Sequence, residues 1–321
     1  MPTVGELFEE YQEVVLGRVS VGTARGYLSA WRQRVRPTFG ATPIGDLTTL
    51  DIELAFRRWS GEHSTRIDAL SLLSSICRVA IKGKLIDSNP CIGVEHPRIQ
   101  GRNPAARALS IEGVHKLLAL LPQEGPYRRF VLAMLYTGCR LGEVAGMRVG
   151  DVDWTTGTIL VARTASPGLH GERVIGATKG RRVRIVPMPS PLVELVREAS
   201  DGRSADDILF PGPRGGYVTS GNLSRGIRWD RIRERVKAFP PEEPPLHWHD
   251  LRHTAAVMLF LAGLSAPDVQ AVLGHSSLQV TQLYADTRKD AARRAVSALS
   301  HFYAPLERST SGGGEAEKSG Q

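Results

Sequence analysis

The sequence predicts a mainly α-helical protein with a small antiparallel β-sheet, divided into two domains. Three observations predict this. Apolar residues recur at helical spacing through most of the chain. Two short β-branched runs, Thr158–Ala162 and Val183–Pro187, flank a Gly-rich basic stretch, as the strands of a small antiparallel sheet would. At 321 residues and 41% hydrophobic content, the chain is long for one core and comfortable for two.

The elements follow in order. Thr3 and Glu6 form a T-x-x-E capping box, and Val4, Leu7, Phe8, Tyr11, Val14 and Val15 carry an amphipathic helix over 4–16. Thr23 caps a second helix bearing Tyr27, Trp31 and Val35, with Pro37 as its expected stop. Thr48 or Thr49 opens a third over 48–60. Ile67, Leu70, Leu73, Cys77, Ala80 and Ile81 mark a fourth, ended near Gly83. Residues 1–95 are thus expected to form a helical domain. Residues 96–108 hold two prolines and three arginines without periodicity, which predicts a linker. Ser110 then starts a helix, a second spans about 127–137, and the strand signals come next with Lys179 near a turn. Helical spacing returns from Ser190, and the Pro-rich run 240–245 is a loop before helices at 249–263, 266–273, 277–285 and 290–304. Residues 109–306 are expected as the second domain and 307–321 as a disordered tail.

Composition excludes several classes. The longest apolar stretch, Ala255–Leu264, is about half of the roughly 20 residues a membrane span requires, and no secretory leader is expected at the N-terminus. Three cysteines without a C-x-x-C pair predict neither a disulfide scaffold nor a zinc ribbon, and fit a reducing cytosol. Residues 1–95 are charge-balanced, so the net charge of +8 arises wholly beyond them. Arg181, Arg182 and Arg184 form one basic cluster; Arg225, Arg228 and Arg231 begin another. Such clusters suit a polyanion, because cations that neutralise phosphates release condensed counterions; a solvated basic face is the alternative.

Four segments could carry chemistry: Thr137-Gly138-Cys139-Arg140-Leu141-Gly142-Glu143, Thr178-Lys179-Gly180-Arg181, His249-Asp250-Leu251-Arg252-His253, and Leu273-Gly274-His275 with Tyr284 following. Together they suit phosphoryl transfer without metal. Two guanidiniums can grip the non-bridging oxygens of one phosphate and stabilise the charge growing there. A tyrosine can form a covalent phosphoester, and histidines with a lysine can move the two protons.

In this order — Arg, Lys, H-x-x-R, L-G-H, Tyr — the sequence resembles the tyrosine recombinases of the phage integrase family, strongly over about 109–303 and more loosely in the helical N-terminal domain. The resemblance implies a two-domain clamp on duplex DNA: a helical, SAM-like core-binding domain and a mixed α/β catalytic domain. It implies that Arg140 and Arg252 clamp the scissile phosphate and Tyr284 attacks it, leaving a 3′-phosphotyrosyl link. Lys179 protonates the leaving 5′-oxygen, with Arg181 as its competitor. His249 is the base or proton shuttle, His275 hydrogen-bonds a phosphate oxygen, and Glu143 helps position the site. Arg181, Arg182, Arg184, Arg225, Arg228 and Arg231 are expected at the DNA. No metal, ATP or other cofactor is implied.

The implied partners are double-stranded DNA and further copies of the chain, a tetramer on two sites working through a Holliday junction, with 290–304 as the candidate subunit contact and docking on its own subunit as the rival reading. A second recombinase or a directionality factor stays open as an additional partner. Because the chain begins with the helical domain, an Xer-like or small mobile-element recombinase without an arm-binding domain is expected. Three alternatives compete with this reading. A zinc hydrolase would use His249 and His253 as H-x-x-x-H ligands. A DNA-binding regulator would leave the Arg, Lys, His and Tyr set unexplained. A type IB topoisomerase would share the chemistry. Tyr303 is the rival nucleophile, better explained by packing beside Val296, Leu299 and Leu306.

Overall fold

The computed structural model describes residues 1–96, 104–169, 171–178, 183–241, 243–274 and 281. The chain divides into two compact units, Met1–Gly101 with Ala165–Gly176, and Arg102–Thr164 with Ala177–Gln321.

In the first unit, α1 (Val4–Leu16) begins at the expected box: the Thr3 N–H donates to Glu6 Oε2 at 2.8 Å and the Glu6 N–H to Thr3 Oγ1 at 3.1 Å. Helix α2 (Val21–Ala30) is capped by Ser20, not Thr23, whose own N–H is the donor to the Ser20 hydroxyl. Pro37 does not stop this helix. A widened turn over Trp31–Val35, in which the Arg36 N–H reaches the Trp31 carbonyl, carries the chain into α3 (Arg36–Phe39). Proline lacks only its own N–H, and near the start of a new helical segment that loss is tolerated. Helices α4 (Thr49–Arg58, capped by Thr48) and α5 (His63–Lys82, ended at Gly83) complete the bundle. Its core is apolar: Phe8, Ile52, Phe56, Leu72, Leu73 and Ile76 are fully buried.

The second unit opens with a 3₁₀ turn at Pro104–Arg107, so the end of the expected linker belongs to this unit. Helices α6 (Ile111–Leu120, capped by Ser110) and α7 (Pro126–Thr137) precede the short α8 (Leu141–Gly146). Strands β1 (Val152–Asp153), β2 (Thr158–Val161) and β5 (Arg184–Pro187) form an antiparallel sheet in the order β1-β2-β5, with Ile159 opposite both Val152 and Val186. The stretch 163–177 is more than the basic connection expected from sequence: β3 (Arg163–Pro167) and β4 (Arg173–Ala177) make their own two-stranded sheet, of which Ala165–Gly176 groups with the first unit. Helices α9 (Ser190–Ser200), α10 (Ser220–Ile227), α11 (Trp229–Val236), α12 (Trp248–Leu261) and α13 (Ala266–Leu273) follow. Phe130, Val131, Leu192, Phe210, Leu251 and Phe260 are buried in this unit. Among the described residues, no helix is long and apolar enough to cross a membrane.

Candidate active site

Two helix ends, of α7 and α13, and two helix starts, of α8 and α12, build the site. Helix α7 ends at Gly138, whose φ of +65° turns the chain so that Arg140 can open α8. A Cβ at this position would strike the Leu273 side chain and lie 3.0 Å from Ala255 Cβ. Glycine therefore serves both the left-handed turn and the close approach of α12 and α13. The Gly138 carbonyl accepts from Arg252 Nη1 at 2.9 Å, and the Leu273 carbonyl, at the end of α13, accepts from Nη2 at 2.6 Å. Both acceptors are neutral, so they orient the buried Arg252 guanidinium without cancelling its charge. Burial, then the nearby Arg140 charge, pushes its pKa down to about 10, which leaves it cationic at neutral pH.

Arg140 lies one helical turn before Glu143. Its backbone N–H donates to Glu143 Oε2 at 2.8 Å and its Nη1 to Oε1 at 2.9 Å. The same carboxylate receives Arg184 Nη2 on Oε2 at 2.7 Å and Nη1 on Oε1 at 3.2 Å. Burial alone would raise the Glu143 pKa, but the Arg184 hydrogen bond and charge, with help from Arg140, outweigh it and hold the carboxyl below its ordinary value. Cys139, buried beside them, has its thiol pKa pushed up, chiefly by burial.

His249 and Arg252 share one face of α12, three residues apart. The packed surroundings of His249, then the charges of Arg252 and Arg140, hold its imidazole pKa below the ordinary value. It keeps an exposed edge. The His253 ring meets it edge-on, with centroids 4.8 Å apart. Among the described residues, no group of three His, Cys, Asp or Glu side chains is placed to hold a metal ion. His247 caps α12: its backbone N–H donates to Asp250 Oδ2 at 2.7 Å.

Sequence reasoning missed Arg107. Its guanidinium reaches Asp250 Oδ2 at 2.6 Å and Oδ1 at 3.3 Å, the carbonyls of Pro244 and Pro245 at 2.8 and 3.0 Å, and stacks 3.6 Å over the Phe239 ring. It fixes the start of the helix that bears His249 and Arg252. The one available signal was Asp250, the only acid of α12, whose burial demands a cationic partner.

The structure thus brings Arg140, Glu143, His249 and Arg252 together. It corrects the expectation for Arg184, which is buried with its guanidinium engaged inside the protein and is not exposed to a DNA backbone. Arg225, Arg228 and Arg231 are exposed around α10 and α11. Lys179, Arg181, Arg182, His275 and Tyr284 lie outside the described residues, as do the rival Tyr303, the helix expected at 290–304 and the tail at 307–321. So does the helix expected at 277–285, Thr281 excepted.

The described part of the site thus holds three guanidiniums, Arg140, Arg184 and Arg252, against the one carboxylate of Glu143. Comparison with known proteins supplies the family. Residues 109–291 match the phage integrase family, and residues 3–59 match the phage integrase N-terminal SAM-like domain. The chain belongs to the phage integrase family, the tyrosine recombinases. Tyrosine recombinase XerC of Corynebacterium efficiens is 29% identical over 87% of this chain and 85% of its own length. XerD of Pseudomonas putida is 31% identical over 68% and 70% respectively. In fold, the chain is similar to the Tn1549 transposon integrase in complex with a circular intermediate DNA (TM-score 0.69, 20% identity, 93% of this chain and 100% of that one). A lambda integrase tetramer bound to a Holliday junction aligns with TM-score 0.62 and 19% identity over 86% of this chain and 78% of its own.

Proposed function

We propose that this chain is a site-specific recombinase that cuts and rejoins duplex DNA through a 3′-phosphotyrosyl intermediate at Tyr284. Family membership supports the reaction class. The observation that carries the reading is the cluster of Arg140, Arg184 and Arg252 around one carboxylate, Glu143. Among the described residues this leaves an excess of fixed cationic charge, suited to a phosphate whose charge grows in the transition state.

Arg140 and Arg252 hold the non-bridging oxygens. The Tyr284 phenolic oxygen bonds to phosphorus and the bond to the 5′-oxygen breaks, its electron pair leaving with that oxygen. Lys179 supplies the proton the 5′-oxygen takes up. The phenol's proton passes to His249, whose depressed pKa keeps its imidazole neutral and receptive at pH 7. His275 donates a hydrogen bond to a phosphate oxygen. A 5′-hydroxyl of a second duplex then attacks the phosphotyrosine and releases the phenol. The phosphoester link conserves the bond, so ATP is not needed. Arg225, Arg228 and Arg231, with Arg181 and Arg182, contact the DNA backbone.

The working assembly is a tetramer on two DNA sites, passing through a Holliday junction in the cytoplasm, with 290–304 joining neighbouring subunits. A second recombinase or a directionality factor is a further partner compatible with this scheme.

A duplex nicked near its cleavage site traps the covalent adduct, because the short 5′-hydroxyl strand diffuses away. The wild-type chain is expected to form this adduct. Tyr284→Phe is expected to bind the same DNA and form none. An adduct that persists in Tyr284→Phe would move the nucleophile elsewhere, and relaxation of supercoiled DNA without exchanged products would favour a topoisomerase.

A further inference from the structure

We propose that Arg184 is a positioning residue of the strand-transfer site, aligning Arg140 through Glu143 and pinning the end of α13 from which His275 follows. The inference rests on the recombinase reading and adds to it a residue that never touches the DNA.

Arg184 stands at the start of β5, directly after the basic run that holds Lys179. Its fork grips both oxygens of Glu143, at 2.7 and 3.2 Å. Its Nε donates to the Val272 carbonyl at 2.9 Å, and its Nη2 lies 3.4 Å from Cys139 Sγ. One side chain therefore joins three separate segments: the loop and helix start that bear Arg140, the strand after Lys179, and the last turn of α13. Room for it exists because residue 274 is glycine. A Cβ there would sit 2.9 Å from Arg184 Cδ, and the φ of +68° already disfavours other residues.

The charge balance gives this contact a purpose. Glu143 is 2% exposed at its side chain, and Arg140 is 30% exposed. If Arg140 were the sole cation on this carboxylate, the pair would be neutral and a poor phosphate ligand. Arg184 supplies the second positive charge from within. The trio keeps one net positive charge, and Arg140 is the accessible member, with Glu143 fixing its direction. Lysine cannot substitute, because a point charge cannot fork across two carboxylate oxygens and also reach the Val272 carbonyl.

The test uses the full chain, the nicked duplex, and DNA affinity measured across salt concentrations. Arg184→Lys and Arg184→Gln are expected to slow adduct formation at saturating DNA by about 10- to 100-fold, the effect of misplacing a reacting group. Their DNA affinity should stay within about twofold of wild type, with an unchanged salt slope, since no phosphate contact is lost. Arg197→Gln, an exposed comparator outside the site, should leave both the salt slope and the rate at saturation intact. If Arg184→Gln fails to fold, Arg184→Lys, which keeps the charge, decides the matter. An Arg184→Lys chain that cleaves like wild type overturns the proposal. So does one that binds with a reduced salt slope yet cleaves normally at saturation. Either result leaves the recombinase reading standing, because the wild type and Tyr284→Phe report on that reading separately. A wild-type chain that forms no adduct overturns both.

Discussion

The two units bury different things. In the helical unit the deep positions hold hydrocarbon — Phe8, Ile52, Phe56, Leu72, Leu73 and Ile76 — with Arg34 as the buried charge among the described residues. The second unit buries Arg107, Glu143, Asp151, Arg184, Asp250 and Arg252. Hydrocarbon packing gains from leaving water, whereas a buried charge loses hydration and recovers it only through well-placed partners. Charge is therefore concentrated in the interior where it supplies something hydrocarbon cannot, here fixed direction and local field at the site. In the helical unit the exception is Arg34, whose guanidinium donates to the Ser60 carbonyl at 3.0 and 2.6 Å.

The sharpest way to break this contrast is to remove one buried charge. Arg107→Met keeps a flexible apolar stem but leaves Asp250 buried without its guanidinium, and frees the Pro244 and Pro245 carbonyls. Urea denaturation should show a loss of about 3–5 kcal/mol, the range for breaking a buried pair from one side. Pairing it with Asp250→Asn should recover part of that loss, because the uncompensated charge is then gone. A loss below about 1 kcal/mol in the single variant would mean that the pair is solvated and the contrast false.

Acid should soften the two units unequally. His253 is held near a pKa of about 4, first by burial and then by its neighbour His249, with Arg252 and Arg107 acting in the same direction and Asp250 opposing. A depressed histidine favours the neutral form in the fold. Its contribution is complete above the ordinary value near 6.5 and is lost as pH falls from there towards 4, by up to roughly 1.4 kcal/mol per pH unit. Hydrogen exchange at pH 5 should therefore show α12 losing protection relative to pH 7 while α5 changes little. His253→Asn should flatten the difference. Equal softening of both helices would remove His253 as its cause.

Legibility in the sequence follows the same division. Helix α1 was readable to its ends, because a capping box and an apolar stripe are local signals within a few residues. Ser20 displaced Thr23 as a cap, and the widened turn before Pro37 was invisible, since neighbouring candidates differ only in backbone geometry. At the site, Arg140, His249 and Arg252 were legible as motif members. Their supports were not. Arg107 meets Asp250 across 143 positions and Arg184 meets Glu143 across 41, and no periodicity encodes such pairs. Arg184 stood among exposed-looking arginines, and only its place at the start of β5 turns it inward. The sheet at 163–177 was missed because its strands carry Arg, Ser, Gly and Pro where a strand signal needs alternating β-branched residues.

The smallest expected effect completes the comparison by placing the same residue in the other unit. Leu72→Met substitutes a fully buried side chain in the middle of α5 with one of similar volume, and methionine's unbranched thioether can adopt the available shape. No hydrogen bond or charge is disturbed, so the loss should stay below about 1.5 kcal/mol in urea denaturation. Arg107→Met introduces the identical side chain and should lose at least twice as much. If the two losses were equal, shape complementarity alone would govern both interiors, and the buried charges of the second unit would have no energetic role distinct from packing.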